Sequence, residues 1–250
     1  MSIETLAYEL RLPYTRRNYK QFIEEAKQKG LEVEEVIEEL LQNEIDLRAE
    51  TGVTRRIQRA RFTNKKYLVD FEYKAYNADT KNKLKKLANL EFIEQKENII
   101  LIGNPGTGKT HYSVALGIEA CTKGYTVLFS SVPNLVSEMK EAYSLSQVTL
   151  FKRRFEKYDL VILDELGYVS FDKDGSEMLF NLLSNRNDKG SIIITTNLAF
   201  DRWEETFKDP VLTGAIIDRL AYKSHIIDMR GESYRIKKTQ DWLKVENNEK

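Results

Sequence analysis

The sequence predicts an α/β protein, a parallel sheet with helices on both faces, preceded by a small all-helical module. Three observations carry this reading. Four apolar, β-branched runs recur with helical stretches between them, which is the alternation of a parallel sheet. A glycine-rich turn stands between the first run and the helix after it. The texture also changes near Tyr67, from charge blocks at helical spacing to strand runs. The expected division is therefore residues 1–67 and residues 68–250. At 250 residues and 41% hydrophobic, the chain can bury one sizeable core and a small second module.

The N-terminal part is built from periodicity and charge. A first helix is expected to end near Gly30. Residues 31–50 are acidic, with eight Asp and Glu against Arg48 alone, and Val33, Val36, Ile37, Leu40 and Leu41 recur at three and four. That spacing predicts an amphipathic helix. Residues 54–66, TRRIQRARFTNKK, carry Arg55, Arg56, Arg59, Arg61, Lys65 and Lys66 with no acid. A charge run is commonly a solvated helix face; here the absence of balancing acids favours an anionic partner. Arg16, Arg17 and Lys20, interleaved with Tyr14 and Tyr19, make a second basic candidate, and Lys152, Arg153 and Arg154 of FKRRF a third.

The strands are expected at residues 98–102, 126–129, 160–163 and 192–195, with a weaker fifth at 226–229. The four prolines interrupt none of them. Between the first strand and its helix the chain reads Gly103, Asn104, Pro105, Gly106, Thr107, Gly108, Lys109, Thr110. Glycines let backbone N–H groups turn inward around an anion, and the following helix directs its positive end to the same place. In that setting Lys109 reaches β- and γ-phosphates and the Thr110 hydroxyl ligates Mg²⁺. A ligand carrying β- and γ-phosphates, together with Mg²⁺, is thus expected.

Asp164 and Glu165 end the third run, and ligands of open parallel sheets sit beyond the carboxyl ends of the strands. Asp164 suits Mg²⁺, directly or through water; Glu165 can take a proton from an attacking water if it has hydrogen-bond reach. Asn197, after Thr195 and Thr196, falls at the same edge. It reads equally as an orienter of the lytic water or as a turn-forming residue.

These residues together resemble the AAA+ ATPases, and within them the IstB-like transposition helpers and DnaC-like helicase loaders. The likeness runs along GNPGTGKTH (103–111), YDLVILDELGY (158–168), ITTN (194–197), IDRL (217–220) and GESYR (231–235). LRLPYTRRNYKQFIEEA (10–26), RRIQRARF (55–62) and DFEY (70–73) carry it into the N-terminal part, which favours the transposition helpers over the loaders. The resemblance implies a sheet of order 5-1-4-3-2 and an ATP-hydrolysing oligomer that assembles on double-stranded DNA and serves a cognate transposase. It assigns Lys109 and Thr110 to Walker A, Asp164 and Glu165 to Walker B, Asn197 to sensor 1 and Arg219 to an arginine finger acting on a neighbouring subunit. Few residues follow Arg219, so no full C-terminal helical lid is expected, and Arg235 is the candidate to replace its sensor 2 arginine. A helicase loader is the alternative, and a small-molecule kinase would share only the loop.

Other features exclude more than they assign. Lys plus Arg equals Asp plus Glu, 39 each, so no global basic field advertises nucleic acid. Apolar runs reach about five residues, far below the roughly 20 of a membrane span. No signal peptide is expected. The single Cys121 forms no disulfide framework and fits a reducing cytoplasm. His111 and His225 make no zinc pattern.

Overall fold

A computed structural model of the chain describes residues 1–186, 188–236, 238–240 and 242. In chain order come α1 (Ile3–Glu9), α2 (Pro13–Lys29), α3 (Val33–Arg59), α4 (Ala78–Leu87) and α5 (Glu91–Glu94). There follow β1 (Asn98–Ile102), α6 (Lys109–Thr122), β2 (Val127–Ser131), α7 (Val132–Ser144), α8 (Val148–Glu156) and β3 (Leu160–Leu166). Last are α9 (Lys173–Ser184), β4 (Ser191–Thr196), α10 (Glu204–Phe207), α11 (Pro210–Ala221) and β5 (Ser224–Asp228).

The chain divides into two units, Met1–Arg55 and Arg56–Lys250. The boundary expected after residue 67 differs from this division for a packing reason. Arg56 Nε donates to the Cys121 carbonyl at 2.7 Å, the Ala60 carbonyl accepts from Phe129 N–H at 2.8 Å, and Ala60 is fully buried. Residues 56–62 are thus part of the sheet-containing unit. Helix also stops at Arg59, short of Tyr67, and Arg61 turns the chain at φ 64°. At the other end, residues 243–250 of the expected second domain lie outside the described residues.

In the first unit, α2 opens on Pro13 with no side-chain cap of its own. Glu44, buried on α3, supplies one: its Oε2 accepts from Tyr14 N–H at 2.9 Å and Thr15 N–H at 3.1 Å. A carboxylate at a helix N-terminus satisfies orphan donors and complements the dipole. The helix closes at Gly30, where the sequence places its end.

In the second unit all five strands are parallel, in the order β2-β3-β4-β1-β5. Read from the other edge this is 5-1-4-3-2, the expected order. Ile99 of β1 aligns with Ile193 of β4 and with His225 of β5. One face packs Tyr112, Leu116 and Cys121 of α6 with Leu84 and Phe71; the other packs Leu135 of α7, Leu182 of α9, Ile216 of α11 and Trp203. Covering both faces buries the central strands, which accounts for their nearly unbroken apolar runs. The edge strands are displaced from expectation: β2 runs on to Ser131, and β5 begins two residues earlier than residue 226.

β3 does not run regularly to its end. Leu163 aligns with Ile194, but Leu166 aligns with Thr196, so β3 carries one extra residue there. The irregularity spans Asp164 and Glu165, and Glu165 sits at φ 66°. A bulge of this kind re-aims side chains and is common beside sites.

Candidate functional site

The loop from Gly103 to Gly108 joins β1 to α6 at the carboxyl edge of the sheet. Gly106 (φ 82°) and Gly108 (φ 90°) hold left-handed backbone, which lets successive N–H groups converge. Thr107, between them, is buried and closes the turn with its Oγ1 on the Asn104 carbonyl at 2.9 Å. Lys109, the first residue of α6, folds back: its Nζ donates to the carbonyls of Gly103 at 2.6 Å and Asn104 at 2.8 Å. Burial lowers its pKa, opposed by nearby Asp164 and assisted by Arg235.

Thr110 and Asp164 meet. The Thr110 hydroxyl donates toward the Asp164 carboxylate, at 2.9 and 3.1 Å from its two oxygens. Asp164 is 5% exposed and accepts a second hydroxyl proton from Thr195 at 2.5 Å. Thr195 Oγ1 in turn accepts Glu165 N–H at 3.0 Å. One buried threonine of β4 therefore fixes the bulge, leaving Asp164 inward and the Glu165 side chain exposed in the cleft. The pair differs in environment although adjacent in sequence. Tyr168 lines the same space; burial first, then Glu165 and Asp164, push its phenol pKa up.

The cleft measures about 560 Å³, and Pro105, Gly106, Lys109, Thr110, Glu165 and Arg235 are among its lining. That is within the usual range for a small-molecule site. The C-terminal segment closes part of it: Tyr234 N–H donates to the Gly106 carbonyl at 3.0 Å, and a Cβ on Gly106 would collide with Ser233 Oγ. Thr195, Tyr168 and Tyr234 are absent from the sequence-based set; Thr195 was the nearest to legible, standing two residues before Asn197.

Metal-holding groups are few. Among the described residues no three His, Cys, Asp or Glu side chains gather to hold an ion. Thr110 and Asp164 offer hard oxygen donors side by side, which suits Mg²⁺, an ion bound through one or two protein ligands plus phosphates and water.

The remaining candidates are scattered. Asn197 is half-buried and absent from the cleft lining; its Oδ1 is buried with no partner among the described residues. Arg219 is exposed on α11 and lines no part of the cleft. Arg55 and Arg59 are exposed, one turn apart on α3. Arg56 is engaged by the Cys121 carbonyl, and Arg61 pairs with Glu138 at 2.9 Å. Arg16 stacks over Tyr8 and Lys20 over Tyr19, while Arg17 is exposed. On α8 Arg153 and Arg154 are exposed, and Lys152 borders a small apolar hollow with Phe151. The structure brings the loop residues together with Asp164 and Glu165, leaves Asn197 out of the cleft lining, and leaves most of the basic candidates on the surface, Arg56 and Lys152 being half-buried.

Comparison with known proteins gives this geometry its context. A family profile described as IstB-like ATP binding protein matches residues 5–241. A protein of Pseudomonas aeruginosa named as an ATP-binding protein of insertion sequence IS21 is 34% identical, covering 94% of this chain and 89% of the relative. One from Bacillus thuringiensis subsp. berliner, named for IS232, is 32% identical over 81% of each. Among solved structures, the DnaC helicase loader superposes with a TM-score of 0.56 at 19% identity, covering 65% of this chain and 95% of that one. AMPPCP-bound DnaA from Aquifex aeolicus gives 0.57 at 20%, covering 74% and 56%. The fold is that of the AAA+ P-loop ATPases, and by sequence the chain belongs to the IstB-like ATP-binding protein family of insertion sequences.

Proposed function

We propose that the protein binds ATP with Mg²⁺ and hydrolyses it, and that it uses this cycle to assemble on double-stranded DNA and stimulate a transposase carried by the same insertion element. The observation that supports this most is the Thr110–Asp164–Thr195 chain of hydrogen bonds with Glu165 exposed beside it. In this reading the loop amides and Lys109 hold the phosphates, with Lys109 exchanging its two carbonyl partners for phosphate oxygens. Thr110 and Asp164 hold Mg²⁺, which when bound neutralises charge on the transferred phosphoryl group. Glu165 accepts the proton of the attacking water, and Asn197 orients that water from the neighbouring strand end.

Arg219, exposed and away from its own cleft, is suited to a neighbour's ATP, where a finger in trans contributes about 10³–10⁵ in rate. A finger in trans requires a homo-oligomer, which in this reading assembles on DNA. Arg235 serves the same subunit's phosphates in place of a lid arginine. The duplex would be met chiefly by Arg55 and Arg59, with Arg16, Arg17 and Lys20 in reserve. No helix among the described residues is long and apolar enough to cross a membrane, and the proposed setting is the cytoplasm. The helicase-loader alternative has the shared fold for support and no more.

Steady-state turnover and equilibrium binding of a fluorescent ATP analogue test the reading in Glu165→Gln. Binding is expected to persist while turnover falls by about a hundredfold or more, the usual worth of a general base. Equal loss of binding and turnover would show that Glu165 has another role.

A further inference from the structure

One wall of the cleft is aromatic. Phe71 and Tyr76 stack nearly parallel, 5.8 Å apart with an 11° angle between planes, and both line the cleft. Phe71 is itself wedged among Tyr73, His111 and Tyr112 at centroid distances of 5.0 to 5.5 Å. Tyr112 is anchored in turn, its hydroxyl on the Leu84 carbonyl at 2.5 Å. The Tyr76 ring is thus held on a fixed plate, and its hydroxyl donates to the carbonyl of Thr107, 31 residues away in sequence.

That carbonyl belongs to the peptide bond whose nitrogen is Gly108. A trans peptide is planar, so its C=O and N–H point in opposite directions, and no peptide in the described chain is cis. Fixing the Thr107 oxygen on Tyr76 therefore fixes the direction of the Gly108 N–H. Gly108 needs such guidance, because a glycine at φ 90° has little intrinsic preference to hold it there. The fit is close: a Cβ on Gly108 would lie 3.0 Å from the Tyr76 hydroxyl and 3.2 Å from the Phe71 ring. Neighbouring carbonyls of the loop are held by Lys109 and by Tyr234 N–H, groups expected to shift with nucleotide, whereas Tyr76 stands on the core.

We propose that Tyr76 is a positioning residue of the phosphate loop: by holding the Thr107 carbonyl it aims the Gly108 amide at the phosphate chain, with Phe71 as its backing. This rests on the nucleotide-binding reading of the cleft. Burial raises the Tyr76 pKa to about 12, so the hydroxyl remains a donor throughout the pH range of any ordinary assay.

The test is Tyr76→Phe, which keeps the stacked ring and removes only the donor, measured by calorimetric titration with ATP, ADP and adenosine. Affinity for ATP and ADP is expected to fall by about five- to tenfold, the worth of one neutral hydrogen bond. Adenosine affinity should be unchanged, and the melting temperature of the free protein should fall only slightly, by about the worth of the one hydrogen bond removed. Wild-type affinity for ATP in the variant would overturn the proposal, and so would an equal loss for adenosine, which would mark a general structural role. Phe71→Leu, retaining the hydroxyl but loosening its backing, is expected to lose about two- to threefold for ATP and ADP and nothing for adenosine, less than one hydrogen bond's worth. If the wild-type protein bound no ATP, the reading of the cleft itself would fail, an outcome distinct from any change confined to the variants.

Discussion

At the phosphate loop Lys109 is nearly buried, its ammonium on two backbone carbonyls and within reach of Asp164. Along α3 Arg55 and Arg59 stand in solvent and form no ion pair or hydrogen bond with a described residue. Both regions are cationic, and the difference lies in who supplies the geometry. In the cleft the fold holds each charge in place before a ligand arrives, so interactions are directional and little is lost on binding. On α3 only the helix spacing is set, and the side chains wait for a partner to order them. The first arrangement suits one small anion of fixed shape. The second suits a long polyanion, for which register matters less than charge.

The sharpest way to break this contrast is Lys109→Ala. Removing a buried, pre-aimed cation is expected to cost at least about a hundredfold in ATP affinity, roughly 3 kcal/mol for a charge-assisted hydrogen-bonding group, by equilibrium binding. Retained affinity would mean that the loop amides suffice. A double reversal, Arg55→Glu with Arg59→Glu, is expected to weaken duplex binding by about tenfold and to flatten the salt dependence by about two in slope, one per phosphate contact. ATP affinity should not move. Fluorescence anisotropy over a salt series measures both, and an unchanged slope would shift the duplex to the α8 arginines.

Within the cleft, Thr195→Val keeps the volume and removes the hydroxyl that joins Asp164 to Glu165. It is expected to cost about 1–3 kcal/mol of stability for buried groups left unpaired, seen as a lower melting temperature, with a few-fold loss of turnover. Full activity would show that the bulge holds without it. The smallest effect is expected from Arg61→Ala. Its ion pair with Glu138 is surface-exposed, a kind worth about 0–1 kcal/mol, and the pairing already withdraws Arg61 from solvent anions. Duplex affinity should change by less than about twofold; a loss like that of the double reversal would return Arg61 to the DNA-binding set.

Much of this was legible in the sequence, and the parts that were not share a cause. β1, β3 and β4 read clearly because both of their faces are buried, so each carries a run of three or four consecutive apolar residues, with polar residues gathered toward the strand ends. β5 read weakly because it is an edge strand: Ile226 remains 45% exposed and His225 pairs with Glu97 at 2.7 Å. The glycine loop and the two acids at a strand end are contiguous motifs, visible in a short window. Thr195, Tyr76 and Tyr234 are not, since each acts on a partner brought near only by the fold. The unit boundary was hidden for a similar reason. Nothing local distinguishes Arg55 from Arg56; the pairing of Arg56 with Cys121, 65 residues on, and of Ala60 with Phe129 ties the residues from 56 on to the second unit.

The strand order has a consequence in time. β1 is made first but lies between the last two strands, and the Asn98 side chain reaches Ile192, 94 residues later, and Tyr222, 124 residues later. A ribosome adding about 5–20 residues per second would need roughly 5–20 s to deliver β4 after β1. Throughout that interval the most apolar strand of the protein has no neighbour on either side. The nascent chain, rather than the finished one, is where this architecture is most exposed to aggregation, and to the chaperones that guard against it.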